Sequence, residues 1–273
     1  MTDESAPKTH ASLEIGINRA HPARMYDYYL GGTTNFDPDR EAADAALTAF
    51  PTLRTTAREN RAFLLRAVEH LARSGIRNFV DMDTGIPAPG RNTHHVAQAI
   101  RDDARVVYVD NDPIVLTLAQ ALLTSGPRGS TAYINADLRR PESITQHPEL
   151  TRTPTTDEPV ALLLVAILHF IPDDQNPLDL LRRLTGRLPS GSRPVISHAT
   201  DDYDPQGWAG LVRAYADAGI TVRPRSLHEV ADLLGDREIE EPGVVPVSQW
   251  RPTGETHTDP ALVSCYGAVA RKT

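Results

Sequence analysis

The sequence of 273 residues contains a single cysteine, Cys265. An internal disulfide is excluded, and so is a zinc site built from several thiolates. Cys265 lies in the apolar run "LVSCYGAVA" and reads as a buried structural thiol rather than a nucleophile. No apolar run approaches the roughly 20 residues that a membrane-crossing helix needs. The opening stretch "MTDESAPKTHAS" lacks the basic-then-apolar pattern of a secretory leader. A soluble, cytoplasmic protein is the expectation. A cationic stripe is missing too, with 28 Lys and Arg against 36 Asp and Glu and a net charge of −8. Nucleic acid, which is bound by clustered cations that release counterions, is not an expected partner. His94 and His95 are adjacent, and His10 and His21 are remote in sequence, so no metal is expected.

Two phosphate-binding loops are absent as well. Gly85 to Gly90 has the glycine spacing of a Walker loop, but Arg91-Asn92 follow in place of Lys-Ser/Thr. No G-x-G-x-x-G follows the first strand-like run, so the dinucleotide fingerprint fails. A pyrophosphate ligand, and with it a nicotinamide-dependent oxidoreductase, is disfavoured.

What remains is an ordinary globular composition, 40% hydrophobic and 23% charged. Residues 1–18 read as a flexible tail and 19–74 as a helical cap or lid. Residues 75–273 read as the α/β core. In the cap, Asp37 is the candidate N-cap of one helix, with Pro38 at its first position. Thr56-x-x-Glu59 reads as a capping box opening the next, whose apolar positions Phe63, Leu64, Ala67, Val68 and Leu71 recur at helical spacing until Gly75. From Ile76 short apolar runs alternate with helix-like stretches. The runs are "IRNFVDM", "RVVYVD", "TAYINAD", "PVALLLVAI" and "SRPVISHA". Such alternation predicts a doubly wound, mostly parallel sheet. Two further runs, "EPGVVPVSQW" and "ALVSCYGAVARK", have no helix pattern between them and are expected to pair antiparallel at one edge.

Open parallel sheets bind ligands beyond the carboxyl ends of their strands. The residues ending the first four runs are Asp81, Asp110, Asp137 and, just beyond the fourth, His169. Asp110 suits the hydroxyls of a ribose; Asp112 suits the N-cap of the helix that begins at Pro113. Asp137 is either an acceptor for an exocyclic amine or a turn acid. Asp81 anchors the loop or holds an ammonium group, and Gly85 allows close backbone approach. A nucleoside without phosphates fits such acidic loops. S-adenosylmethionine, with its ribose, adenine, amino-acid tail and sulfonium, is one. His169 is the candidate proton acceptor, with loop ordering as its other reading and His198 as a weaker alternative. Tyr26, Tyr28 and Tyr29, with Gly31-Gly32, Asn35 and Phe36, form a candidate lid or a tyrosine-rich helix packed on the sheet. Arg58, Asn60 and Arg61 face the same cleft or solvent.

From about Arg19 onward the chain resembles an actinobacterial family of S-adenosyl methyltransferases, once a domain of unknown function, within the class I S-adenosylmethionine-dependent enzymes. The stretches that carry the resemblance include "HPARMYDYYLGGTTNF", "ARENRAFLLRAV", "VDMDTGIPAPGRNTHHVAQ", "ARVVYVDNDPIVLTLAQALL", "ADLRRPESI", "VALLLVAILHFIPDD" and "EPGVVPVSQWRP". The resemblance implies a Rossmann-like seven-stranded sheet with an antiparallel edge strand. It implies S-adenosylmethionine as cofactor, a glycine-rich loop after the first strand, an acid on the ribose at Asp110 and an acid near adenine at Asp137. The expected cofactor contacts are Asp81, Asp83, Gly85, Asp110, Asn111, Asp137, Leu138 and Ala166, and the expected substrate or lid residues for a small-molecule methyl acceptor are Tyr28, Asn35, Phe36 and Arg58. One position departs from the family. Its first loop usually reads D-I-G-T-G, and here Asp83 replaces the middle glycine. Repulsion of the cofactor's own carboxylate at roughly 4 Å and an effective dielectric near 20 would be about 4 kcal/mol. The alternative expectation is therefore a non-catalytic, adenosine-ligand-binding or regulatory protein on the same fold.

Overall fold

The computed structural model describes residues 16–88, 91–152, 158–254 and 258–273. Most of the expected N-terminal tail, residues 1–15, lies outside them. Three helices come first: α1 (Pro22–Tyr29), α2 (Asp37–Ala49) and α3 (Leu53–Arg73). The α/β alternation follows as β1 (Asn78–Met82), α4 (Thr93–Ile100), β2 (Arg105–Asp110), α5 (Pro113–Leu122) and β3 (Ser130–Asn135). Two short helices, α6 (Pro141–Thr145) and α7 (Pro148–Arg152), precede β4 (Val160–Leu164). Then come α8 (Pro177–Gly186), β5 (Arg193–Ala199), α9 (Pro205–Asp217) and α10 (Leu227–Leu234). Two-residue strands β6 (Glu238–Ile239) and β7 (Val245–Pro246) lead to β8 (Cys265–Arg271).

Two of the expected helix starts move. Phe36, not Asp37, is the N-cap of α2, and the Asp39 carboxylate accepts the Phe36 N–H at 2.9 Å. Thr56 opens no capping box. It lies a turn inside α3, whose N-cap is Thr52. A propensity signal at Thr56 was overridden by the turn made at Pro51, three residues after which the chain is already helical. The Asp112 expectation holds, because Asp112 Oδ1 accepts the Ile114 N–H at 2.7 Å and caps α5.

The strand order is β3-β2-β1-β4-β5-β8, with β6 and β7 both pairing to β8. The first five strands are parallel, and β8 runs antiparallel to β5 and to both short strands. The sheet therefore counts eight strands rather than seven, and the antiparallel strand lies one place inside the edge. Of the expected edge strand over "EPGVVPVSQW" only Val245–Pro246 pairs with β8, while β6 lies just before that run, and Pro242 and Gly243 stand between the two. β1 pairs with β2 on one side and β4 on the other, so the chain order reverses there and a crevice opens beyond their carboxyl ends.

All five residues of β1 are buried, as expected of a strand covered on both faces. Val80 and Met82 join one apolar cluster with Leu180, Leu184 and Val230 of α8 and α10. Phe79 joins the other, with Phe63, Leu71 and Ala97 of α3 and α4. A third cluster joins the N-terminal helices to α9 through Met25, Tyr29, Phe50, Trp208 and Tyr215. It roofs the crevice. Among the described residues no helix is long and apolar enough to cross a membrane.

Candidate active site

A cavity of about 270 Å³ lies where β1 and β4 part, between the strand ends and the N-terminal helices. The loop after β1 supplies Asp83, Thr84 and Gly85, and β1 itself supplies Asp81. Asp110 and Asn111 come from the end of β2, Asp137 and Leu138 from beyond β3, and Val165 to Ile167 with His169 from beyond β4. The strand-end residues singled out in the sequence are thus brought to one cavity.

The acids there differ in their partners. Asp110 Oδ2 accepts the Gly85 N–H at 3.0 Å and its Oδ1 accepts the Asp112 N–H at 2.8 Å, which ties the first loop to the second. A carboxylate offers about four acceptor positions, so capacity remains for a bound diol. Burial pushes Asp110 up to about 6. Burial also pushes Asp81 up to about 6, against the opposing hydrogen bond from Thr93 Oγ1 at 2.6 Å. Asp137 Oδ1 accepts the Arg139 N–H at 2.9 Å, so this residue is a turn acid that also faces the cavity.

Asp83 has φ +48°, in the left-handed region where glycine is at ease and aspartate is tolerated better than most residues. That is the physical reason a glycine serves at this place in the loop. Its side chain does not turn away to solvent. It lines the cavity, where burial, and after it Asp110 and Asp137, hold its carboxyl well above the ordinary carboxylate range. A neutral carboxyl does not repel a ligand carboxylate, and it donates a hydrogen bond. Ala166 is a second non-glycine residue at positive φ, +60°, and its N–H is held by Ser197 Oγ at 2.9 Å. Strained backbone of this kind costs about 1–3 kcal/mol and gathers at ligand sites.

His169 lines the cavity, and its Nδ1 is buried with no hydrogen-bond partner. Burial, then His198 and Arg225, keep it well below the ordinary imidazole range, hence neutral near pH 7. Its neighbour His198, ring centroids 5.7 Å apart, is locked in one tautomer. Arg225 Nη1 donates to His198 Nε2 at 2.8 Å, so Nδ1 carries the proton and donates to the Ala199 carbonyl at 2.8 Å. His198 therefore has no nitrogen left for a substrate. The ring centroids of His94 and His95 are 3.9 Å apart. Among the described residues no group of His, Cys, Asp and Glu is placed to hold a metal. Cys265 is buried on the cavity wall, and burial pushes its thiol up to about 12, which makes it inert.

The residues of the expected lid divide into two groups. Tyr26 and Tyr29, three apart on α1, line the cavity together with Asn60 and Arg61 of α3. Tyr28, Asn35, Phe36 and Arg58 are not among the residues that line it. Tyr28 points the other way along α1, with its hydroxyl on Asp44 Oδ1 at 2.9 Å and Arg54 over its ring. Asn35 braces the Gly31-Gly32 turn through Asp27 and Arg40, Phe36 caps α2, and Arg58 is exposed. Sequence reasoning missed Trp208, Leu211 and Tyr215, which line the far end of the cavity from α9. Their spacing of three and four along a helix was the available signal. It also missed Arg24, which joins Asp39 Oδ2 at 2.9 Å to Asp112 Oδ2 at 3.1 Å in the interior.

These residues fit S-adenosylmethionine. Four cavity carboxyls with no buried cation among them call for a ligand that brings hydroxyls and positive charge. The comparisons agree. A crystal structure of a DUF574 family protein from Streptomyces avermitilis is 43% identical, with a TM-score of 0.90 over 95% of this chain and 100% of the other. A proposed methyltransferase from Thermobifida fusca is 35% identical, with a TM-score of 0.87 over 97% of this chain and 100% of the other. No curated protein matches the chain. The sequence model of the S-adenosyl methyltransferases matches residues 8–273. The chain belongs to that family, and it is an S-adenosylmethionine-dependent methyltransferase.

Proposed function

We propose that the protein methylates a small molecule held beneath its N-terminal helices, with residues 19–74 as a lid on the 75–273 core. The observation that carries this reading is a cavity with two unlike ends. One is ringed by the acids of three strand ends, and the other is apolar and walled by α9. Its volume is close to the roughly 300 Å³ at which small-ligand sites begin. A nucleic-acid strand would call instead for a cationic groove with stacking platforms.

Asp110 would take the ribose hydroxyls, with the Gly85 backbone close by, and Asn111 beside them. Asp137 and Leu138 would flank the adenine. Asp81 and Asp83 would face the amino-acid tail, and Ala166 would close that side. When bound, the cofactor supplies an electrophilic methyl group on a sulfonium. The protein's own part is to position the acceptor, exclude water and receive a proton at the His169 imidazole. Nothing in the fold favours the non-catalytic alternative, because a protonated Asp83 removes the repulsion that motivated it.

Isothermal titration of S-adenosylmethionine into the wild-type protein and Asp110→Ala tests the reading. Micromolar binding that weakens in the variant is expected. A wild-type protein that binds no S-adenosylmethionine would end it.

A further inference from the structure

The apolar end of the cavity is specific enough to define its occupant. Leu53, Phe170, Trp208, Leu211, Tyr215 and Val222 form this end. None is ionised at neutral pH. Tyr215 shares its hydroxyl with Tyr29 at 3.1 Å, and burial pushes it up to about 12. The cavity's acids and its two arginines belong to the strand-end loops and α3. A carboxylate or phosphate on the acceptor would lie there without a counter-ion, which is strongly unfavourable. Three of the six residues are aromatic, in a chain that is only 5% aromatic. Phe170 and Tyr215 stand 6.3 Å apart at 30°, an arrangement that suits flat rings.

The single loop after β4 joins this end to the acids. His169 sits in it directly before Phe170, their ring centroids 4.4 Å apart. Two nitrogens on these walls, His169 Nδ1 and Trp208 Nε1, are buried without a partner. Native proteins rarely leave such atoms unsatisfied. Of the two adjoining histidines, His198 is fully committed to Arg225 and Ala199, which leaves His169 as the one free to meet a ligand at this end.

Resting on the methyltransferase reading above, we propose that the methyl acceptor is an uncharged, ring-sized aromatic compound bearing a hydroxyl. Its ring lies among Phe170, Trp208 and Tyr215, and its hydroxyl meets His169. On reaction the hydroxyl oxygen gains the methyl carbon, the sulfur keeps the electron pair of the broken bond, and the hydroxyl proton passes to His169 and then to water.

The test is a titration of the protein saturated with S-adenosylhomocysteine, read by calorimetry and by tryptophan fluorescence. Trp208 is one of two tryptophans, and the other, Trp250, is sealed in the core. The probes are para-ethylphenol, para-ethylbenzoate and para-ethylanisole. The phenol is expected to bind and quench, with the benzoate roughly a hundredfold weaker. The anisole, which lacks the donor, is expected to be about tenfold weaker, and that gap should close in His169→Phe. The wild-type comparison of phenol and benzoate stands even if a variant fails to fold. Benzoate binding as tightly as the phenol, or no probe binding while S-adenosylhomocysteine binds, overturns the acceptor class and leaves the methyltransferase reading standing. Failure of S-adenosylhomocysteine itself to bind overturns both.

Discussion

Asp110 and Asp112 are two residues apart on one turn, yet they stand in opposite electrostatic situations. Asp112 is buried against Arg24, whose guanidinium also meets Asp39 and the carbonyls of Gly16 and Arg19. Each charge in that group has a partner inside the protein. Asp110 is buried with Asp81 at the cavity, Asp83 lines it half-buried, and the cation that acts on Asp83, Arg139, has a side chain 49% exposed. The first group clamps the N-terminal helices to the cap of α5. The second is left short of positive charge and donors, a deficit that a ligand is suited to fill. Burial alone does not distinguish a structural acid from a binding acid. The partner does.

The largest effect is expected at Arg24. Arg24→Met leaves Asp39 and Asp112 buried without a counter-ion, a loss of about 3–5 kcal/mol. Thermal unfolding should then fall by roughly 10 °C or more. A shift of only a degree or two would mean that the clamp contributes little. On the other side, Asp110→Asn should weaken S-adenosylmethionine about 10- to 100-fold by calorimetry while the free protein unfolds no earlier at pH 7. A large loss of stability in that variant would show that Asp110 belongs with the structural acids after all.

A pH series sharpens the contrast. Burial raises Asp81 and Asp110 in the folded state to about 6, above their ordinary values, and raises Asp83 in the same direction. The folded protein therefore binds more protons than the unfolded chain. The stability these groups contribute is full below about pH 4 and is lost as the pH rises through about 6. Asp83→Asn removes one member and keeps a residue that tolerates positive φ. Its unfolding temperature should exceed wild type at pH 7.5, by roughly 2–4 °C for each 1 kcal/mol gained, and the gain should shrink at pH 5. A gain that grew on acidification would reverse the assignment. The smallest effects are expected at the candidate lid residues that do not line the cavity. Arg58→Ala and Tyr28→Phe should each stay within about 0.5 kcal/mol and leave cofactor affinity unchanged.

Much of the architecture was written locally. Strand runs ending in acids, Pro113 after a capping Asp112, and apolar positions at helical spacing through α3 depend on neighbours in sequence, and each could be read. What was lost had distant causes. The phase of α1 decides that Tyr26 and Tyr29 face the cavity while Tyr28 faces Asp44, and Pro22 behind the His21 cap sets that phase. Arg24 finds Asp112 only in the folded chain, 88 residues away. Between β6 and β7 at the edge of the sheet stand Pro242 and Gly243, which the hydrophobic pattern passes over. Asp83 was seen as an intrusion by charge alone. Its backbone conformation and its acidic neighbours, which make a protonated form natural, exist only in three dimensions.

One chain of hydrogen bonds along the cavity wall runs in a single direction. The Ala166 N–H donates to Ser197 Oγ, which donates to Asn60 Oδ1 at 2.5 Å. At its other end Asn60 Nδ2 donates to the Tyr26 hydroxyl, which donates to the Ala57 carbonyl, each at 2.9 Å. Both hydroxyl protons in this chain are therefore already committed inward. Toward the cavity the Tyr26 oxygen can present lone pairs and nothing else. At that point the wall accepts a hydrogen bond and does not donate one, so the Tyr26 oxygen favours a visitor that carries a donor.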